Sequence, residues 1–304
     1  MAGRDDKPIP VLINRKGGSA AAAGARLKKD VAAAFAEAGL KAEIKLLDGS
    51  AIARTVEKLK QRALIVVGGG DGTLGTAAGI LAGSDTALGI LPLGTHNHFA
   101  RQLGIPQDLA EAARVLAQAR RRRVDLGAVN GQVFLNNASI GFYPSLVQTR
   151  EQAQERGLPK WLANLPASWA ALRRMRHHRL RVTAEGIARQ VRTPLLFVGN
   201  NVYALDGAQL GGRVALDEGR LSLYAVEARS RLGALWFGLK MLAGKADLQR
   251  DFAVAETCRT IKVEAHAPHI HVALDGEIHW LESPLCFEIM PKKLQVIAPA
   301  AAHA

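Results

Sequence analysis

The sequence predicts an α/β protein in two parts: an N-terminal domain on a doubly wound, mostly parallel sheet, then a C-terminal β-sandwich-like domain. Three observations carry this. Through about residue 127, short apolar runs alternate with helix-patterned runs, and strands separated by helices pair in parallel through right-handed crossovers. After “VDLGAVNG” (124–131) the texture changes to many short β-patterned segments divided by Gly, Asn and Asp turns. The length, 304 residues with 48% hydrophobic and 22% charged, suits two ordinary globular domains. The domains are set at 1–127 and 128–304.

“IPVLIN” (9–14) is a short apolar strand running into a Gly-containing turn. Residues 20–38 are Ala-rich and read as a helix, stopped by Gly39 in the usual C-terminal position. “KAEIKLL” (41–47) alternates as a strand, 51–62 reads as a helix, and “ALIVVGG” (63–69) is a buried strand. “TLGTAAGILAG” (73–83) is helix-like, “ALGILPLGT” (87–95) a fourth strand and turn, and 99–103 part of another helix. “RRRR” (120–123) reads as a solvated helix end ahead of the domain link. In the second domain the strand candidates are “QVFLNNASIGF”, “RLRVTAEG”, “PLLFVGNN”, “RLSLYAVE”, “TIKVEA”, “HIHVALDG”, “EIHWLE” and “KLQVIAP”, with one basic helical insert near 158–178.

No apolar run reaches the roughly 18 to 20 residues that a membrane-spanning helix needs. The N-terminus, “MAGRDDKPIPVLINRKGG”, has acids where a signal peptide has an apolar core, so a cytoplasmic location is expected. Cys258 and Cys286 are too few for a disulfide framework and read as reduced thiols. The 40 Lys and Arg against 27 Asp and Glu give a net charge of +13, which favours polyanionic partners: nucleic acid, anionic headgroups or phosphorylated metabolites.

The stretch “LIVVGGGDGTLGTAAGIL” (64–81) sets four glycines and one aspartate between a strand and a helix-like run. Glycines there let the backbone approach a ligand closely, with N–H groups aimed at phosphate oxygens and the positive end of the following helix behind them. A tight turn needing positive φ would explain one or two of Gly68, Gly69, Gly70 and Gly72, not all four. Gly70, Gly72 and Gly75 formally satisfy G-x-G-x-x-G, but after the third strand rather than the first, and without an acid about 20 residues on. A Walker A loop is also absent.

What fits is G-G-D-G-T followed by “GILPLGTHNHFARQLGIP” (89–106). This pair resembles the catalytic domain of the diacylglycerol kinase-like lipid kinases, and more distantly is similar to NAD kinases and phosphofructokinases. “VLINRKGG” resembles the family's first phosphate loop. The likeness continues through “FVGNNVYALDGAQLGGRVALDEGRLSLY” and “VALDGEIHWLESPLCFEIMPKKLQVIAP”. It implies that Gly69, Gly70, Asp71, Gly72 and Thr73 contact the phosphates of ATP or their metal. Asn14 with Lys16, Gly17 and Gly18 would help hold the same phosphates. Gly94, Thr95 and Asn97 would form the second wall of the nucleotide site. Asp71 would offer an oxygen to Mg²⁺ or to a water on it, since a bare carboxylate against a triphosphate is repulsive.

Asp275-Gly276 reads as a two-residue hairpin turn, which by itself accounts for the pair. Glu277 is not explained by the turn; the resemblance implies that it is the general base taking the acceptor's hydroxyl proton. Glu218, in “RVALDEGRLSLY”, resembles the ligand of a structural divalent cation, and reads equally well as an exposed acid in a turn. The chain departs from the family pattern at Gly75-Thr76, where Asn-Glu is frequent, and at His98, where Asp is frequent. His96/His98 and His269/His271 are i, i+2 pairs without third and fourth ligands, which argues against zinc.

Trp161, Trp169, Leu172 and Met175 share one helical face amid arginines, a pattern suited either to an anionic interface or to a domain-packing helix with a basic edge. No nucleic-acid motif is present, and no nucleic-acid partner is expected. The expectation is an ATP- and Mg²⁺-dependent lipid kinase. Its acceptor would be a hydroxyl such as that of diacylglycerol, met reversibly at the inner membrane surface, and homo-oligomers are compatible with it. The alternatives are a kinase for a soluble acceptor such as NAD, and a catalytically weak nucleotide- or lipid-binding protein.

Overall fold

Apolar strands and amphipathic helices alternate through the first 120 residues, and the computed structural model shows what that alternation builds. It describes residues 7–18, 26–141, 177–203, 213, 215–226, 233 and 252–300. Most of the basic insert near 158–178, with Trp161 and Trp169, lies outside the described residues. By contact the chain divides into two units, 1–126 with 290–304, and 127–289.

In the first unit, β1 (Ile9–Asn14), β2 (Ala42–Leu47), β3 (Leu64–Gly69) and β4 (Ala87–Pro92) form a parallel sheet in the order β2-β1-β3-β4. The central strands are near-continuous apolar runs because both faces are covered. Val11, Leu12, Ile13, Ile65, Val66 and Val67 are all fully buried. The covering helices are α1 (Arg26–Glu37), α2 (Gly49–Leu59), α3 (Asp71–Leu81) and α5 (Leu109–Gln118), with the one-turn α4 (His98–Gln102) after β4. α1 packs on α5 and α2 on α3. Helix α1 ends as predicted at Gly39, whose φ is 69°. Helix α5, not marked in the sequence reading, starts at Asp108, whose carboxylate accepts from Ala110 N and Glu111 N. The strand order reverses between β1 and β3, which makes their carboxyl ends the topological switch point of the sheet.

“RRRR” is not a helix end. Ala119, at φ 51°, closes α5, and Arg121 opens strand β5 (Arg121–Val129). Its guanidinium bonds the carbonyls of Asp85 and Ala63 and the side chain of Gln295, bracing the starts of neighbouring segments.

The second unit begins with the end of β5 and adds β6 (Gln132–Phe134), β7 (Asn137–Gly141), β8 (His178–Ala184), β9 (Ile187–Thr193), β10 (Leu195–Asn200), β11 (Leu221–Val226), β12 (Phe252–Cys258), β13 (Thr260–Ala265), β14 (His269–Leu274), β15 (Glu277–Glu282) and β16 (Leu285–Ile297). One antiparallel sheet runs β12-β11-β10-β7-β14-β15. In the other, β13 pairs on one side with β8, which pairs with β9, and on the other with the first part of β16. The inward residues of both sheets make one core that includes Ile140, Leu180, Val198, Leu223, Val263, Val272 and Phe287. β16 passes from the second unit into the first after Ile289, and Gln295 and Val296 pair in parallel with Ala87 and Leu88 of β4. Residues 290–300 therefore pack with the N-terminal sheet, although the sequence pattern places them in the β-rich domain 128–304.

Candidate functional site

The three loops singled out by sequence leave the carboxyl ends of β1, β3 and β4, at the switch point of the first unit's sheet. From β1, Asn14 donates through Nδ2 to Thr73 Oγ1 at 2.8 Å, tying the first loop to the head of α3. Its Oδ1 accepts from Lys16 N at 3.1 Å, and its carbonyl accepts from Gly17 N at 3.3 Å. The side chain of Lys16 is exposed, its Nζ 3.5 Å from Asp48 Oδ1. Arg15 forks onto the same carboxylate at 2.9 and 2.7 Å. The Arg15 hydrogen bond holds the Asp48 carboxyl below the usual carboxylate range.

From β3, none of Gly68, Gly69, Gly70 or Gly72 has positive φ. Close approach accounts for two of the four instead. A Cβ on Gly68 would lie 2.9 Å from the Leu93 side chain, and one on Gly69 would lie 2.9 Å from Thr73 Cβ. Gly70, the N-cap of α3, is extended and contributes no side chain, so the first-turn amides of α3 have no side-chain cap.

From β4, Gly94 rests on Gly70: a Cβ there would be 2.3 Å from Gly70 Cα. Gly18, at φ 42°, also lies against Gly94, where an added Cβ would be 2.7 Å from Gly94 C. Three turns thus meet backbone against backbone. Asp71 fastens two of them. Its Oδ2 accepts from His98 N at 3.0 Å and its Oδ1 from Phe99 N at 2.9 Å, tying the start of α4 to the head of α3.

Asn97, in the left-handed region at φ 52° and only 4% exposed, turns its amide into its own loop. Oδ1 accepts from Gly94 N, and Nδ2 donates to Pro92 O, Gly94 O and Gln107 Oε1. It shapes the second wall rather than presenting a side chain to it. Thr95 is exposed. His98 is exposed and its ring stacks on His96, centroids 5.6 Å apart.

Glu277 and Glu218 belong to the second unit. Asp275 and Gly276 both have positive φ, 49° and 92°, and Leu274 pairs with Glu277 across the two-residue turn as predicted. Asp275 does more than turn the chain. Its carboxylate accepts from Leu135 N and Asn136 N at 2.7 Å and from Asn137 N at 3.1 Å, pinning the hairpin end that carries the exposed Glu277. Around the same loop, Arg213 Nη1 and Asn200 Nδ2 bond Leu135 O, and Tyr203 Oη bonds Asn136 O. Glu218 is exposed, and its N–H donates to Asn201 Oδ1 at 3.2 Å.

Sequence reasoning missed Asp48, Gln107 and the clamp made by Asp275. The Asn pairs at 136–137 and 200–201 were the available signal, since paired Asn at strand ends are suited to bonding loop backbone.

A family model described as the diacylglycerol kinase catalytic domain matches residues 8–129. Another, the YegS C-terminal NAD kinase beta sandwich-like domain, matches residues 145–298. A probable lipid kinase YegS-like of Pseudomonas aeruginosa (strain UCBPP-PA14) is 32% identical, covering 97% of this chain and 95% of its own. The diacylglycerol kinase of Bacillus subtilis (strain 168) is 44% identical over 86 residues, 27% of this chain and 28% of its own. Among solved structures, a diacylglycerol kinase from Bacillus anthracis str. Sterne superposes with a TM-score of 0.66 at 21% identity, covering 98% of this chain and 99% of that one, which is a likeness of fold. With both domain models matched in sequence order and a relative aligned almost end to end, the chain belongs to the diacylglycerol kinase-like lipid kinases that carry the YegS type of C-terminal domain.

Proposed function

We propose that the chain transfers the γ-phosphate of ATP to a lipid hydroxyl, with diacylglycerol as the acceptor, acting as a peripheral protein at the cytoplasmic face of a membrane. The observation that supports this most is the meeting of the Gly18, Gly70 and Gly94 turns at the switch point, beside a helix head left without a side-chain cap. Amides at such a helix end suit a phosphate chain, and the aligned peptide dipoles of α3 favour its negative charge. Asn14, held to Thr73, and the turn through Lys16, Gly17 and Gly18 flank the phosphates; Gly69 to Thr73 lie beneath them; Gly94 and Thr95 close the far side.

Among the described residues no group of three or more His, Cys, Asp or Glu is placed to hold a metal. Asp71 stands at the head of α3, and a carboxylate has about four acceptor positions, of which two amide bonds leave some free, whereas the Asp48 carboxylate is engaged by Arg15 and Lys16. That fits Mg²⁺, which needs only one or two carboxylates beside phosphate oxygens and water. When bound, Mg²⁺ supplies charge neutralisation at the phosphates. The chain's own part is positional: the backbone cradle holds the phosphoryl group in line, and Asp71 keeps the second wall against the first. Glu277 takes the acceptor's hydroxyl proton. Glu218 holds a structural cation, a role that rests on the family likeness alone.

The test is labelled ATP with Mg²⁺ and purified protein, offered vesicles of several hydroxyl lipids and, separately, NAD. Product on diacylglycerol vesicles is expected. Product with NAD alone, or with nothing, overturns the proposal. Glu277→Ala should lower turnover by roughly 10²- to 10⁴-fold while nucleotide binding, read by thermal stabilisation, stays at the wild-type level.

A further inference from the structure

Three large apolar side chains stand exposed among the described residues: Ile187 at 58%, Ile278 at 60% and Trp280 at 59%. Two of the three lie on β15, the strand that begins with Glu277. β15 closes one edge of the six-stranded sheet. Its sequence, EIHWLE, has none of the Lys or Pro that ordinarily protect an edge. Alternation along the strand turns Leu281 into the core and Ile278, Trp280 and Glu282 outward. Opposite them on β14 stand Ala273, His271 and His269 in register. The indole of Trp280 lies 4.1 Å from the His271 ring and is nearly parallel to that of His269 at 5.7 Å, so the outer face of the hairpin is an aromatic ladder with an aliphatic residue at its end.

We propose that this face of the β14–β15 hairpin seats the chain on the bilayer interface, an inference that rests on the lipid-kinase function above. A fixed, half-exposed Trp beside imidazoles is the kind of group that settles at headgroup depth, with an apolar body and polar atoms at its rim. Glu282 stands on this face, and among the described residues no strand pairs with the outer edge of β15, so the hairpin rests among headgroups and does not enter the hydrocarbon. The chain's charge of +13 supplies attraction to an anionic leaflet. The consequence is local: Ile278 follows Glu277 directly, and Trp280 lies about 10 Å along the strand, so docking this face holds the start of the strand, where Glu277 leaves it by the opposite face, next to the membrane surface.

The experiment uses full-length protein on phosphatidylcholine vesicles doped with phosphatidylglycerol and diacylglycerol, comparing wild type with Ile278→Ser plus Trp280→Ser. Partition by flotation should weaken about tenfold or more, since two large side chains are withdrawn and one alone is worth about that factor. Activity on those vesicles should fall through KM, while kcat on a dispersed short-chain diacylglycerol stays unchanged. Trp280→Phe should remove the part of wild-type fluorescence that brominated lipids quench. Unchanged partition overturns the surface whatever the kinase assay gives. Partition that is lost in the double variant, with a wild type that phosphorylates no lipid, leaves the surface standing and removes the proposed function instead. A dimer that the double variant dissociates, with partition unaltered, identifies the edge as a self-pairing strand and overturns the membrane assignment.

Discussion

Asp71 accepts amide hydrogens from His98 and Phe99 with both carboxylate oxygens, so its first effect is to hold two loops in register. Hydrogen bonds to a charged group are worth about 1.5–3 kcal/mol each when shielded, and partial exposure here lowers that. Asp71→Ala should therefore cost about 1–3 kcal/mol of stability and abolish nucleotide-induced thermal stabilisation. Asp71→Asn keeps one acceptor oxygen, so it should recover part of the melting temperature. If both variants melt like wild type and still respond to ATP, the loops do not depend on this carboxylate. A second residue-scale consequence concerns Cys258. Burial, with Glu185 and Glu256 adding to it, pushes its thiol up from the ordinary 9.0 to about 12. In that interval the folded chain keeps a proton that the unfolded chain releases, so this contribution to stability is complete below pH 9 and is lost as pH rises toward 12. Denaturant titrations between those limits should show a falling midpoint, and Cys258→Ala should flatten the fall.

At the scale of elements, glycines separate into two kinds. Gly39 caps α1 with φ 69° and has nothing within 4 Å of an added Cβ. Gly39→Ala should cost about 1 kcal/mol for the left-handed backbone and leave nucleotide binding intact. Gly94 has backbone in the way at 2.3 Å, so Gly94→Ala must push the third turn off the second. The variant should stay folded, because the sheet beneath is untouched, yet lose ATP-dependent stabilisation. An equal response to ATP in the two variants would show that the contact of turns is not what shapes the site. The same contrast shows how far the sequence could be read. A glycine run announces that space is needed, but which neighbour needs it depends on contacts such as Gly70 to Gly94, some two dozen residues apart. Strands were legible where burial imposed alternation, as in HIHVAL, or an unbroken apolar run, as in LIVVGG. β9 was missed because Ile187–Thr193 is largely exposed and carries Arg189 and Arg192, leaving no apolar stripe to recognise. Arg121 to Arg123 passed for a helix end for the same reason, since their place in β5 is set by the carbonyls that Arg121 braces.

For the whole molecule, the decisive feature is the return of the chain. Nothing in “KLQVIAP” distinguishes a strand that stays with its neighbours from one that joins the first sheet, because both are apolar and buried. The structure assigns it to the first unit. Val296 pairs with Leu88, Gly83 N bonds Lys293 O, Ala298 N bonds Arg120 O, and Arg121 holds Gln295. Leu294, Val296, Ile297 and Ala298 are at most 2% exposed. Each large one contributes about 1.5–3 kcal/mol on burial. Their removal would thus cost roughly 5–9 kcal/mol, against the 5–15 kcal/mol by which a native domain is stable. Ending the chain after Ile289 should consequently damage the unit that contains the GGDG turn, 220 residues upstream, more than the β unit from which it was cut. A fragment covering 1–127, the domain that sequence alone would excise, should be molten or insoluble. The same fragment with 290–304 attached through a flexible linker should regain cooperative thermal unfolding and its stabilisation by ATP. If 1–127 alone melts cooperatively and answers to nucleotide, the last strand is an accessory to the first sheet and not one of its structural members.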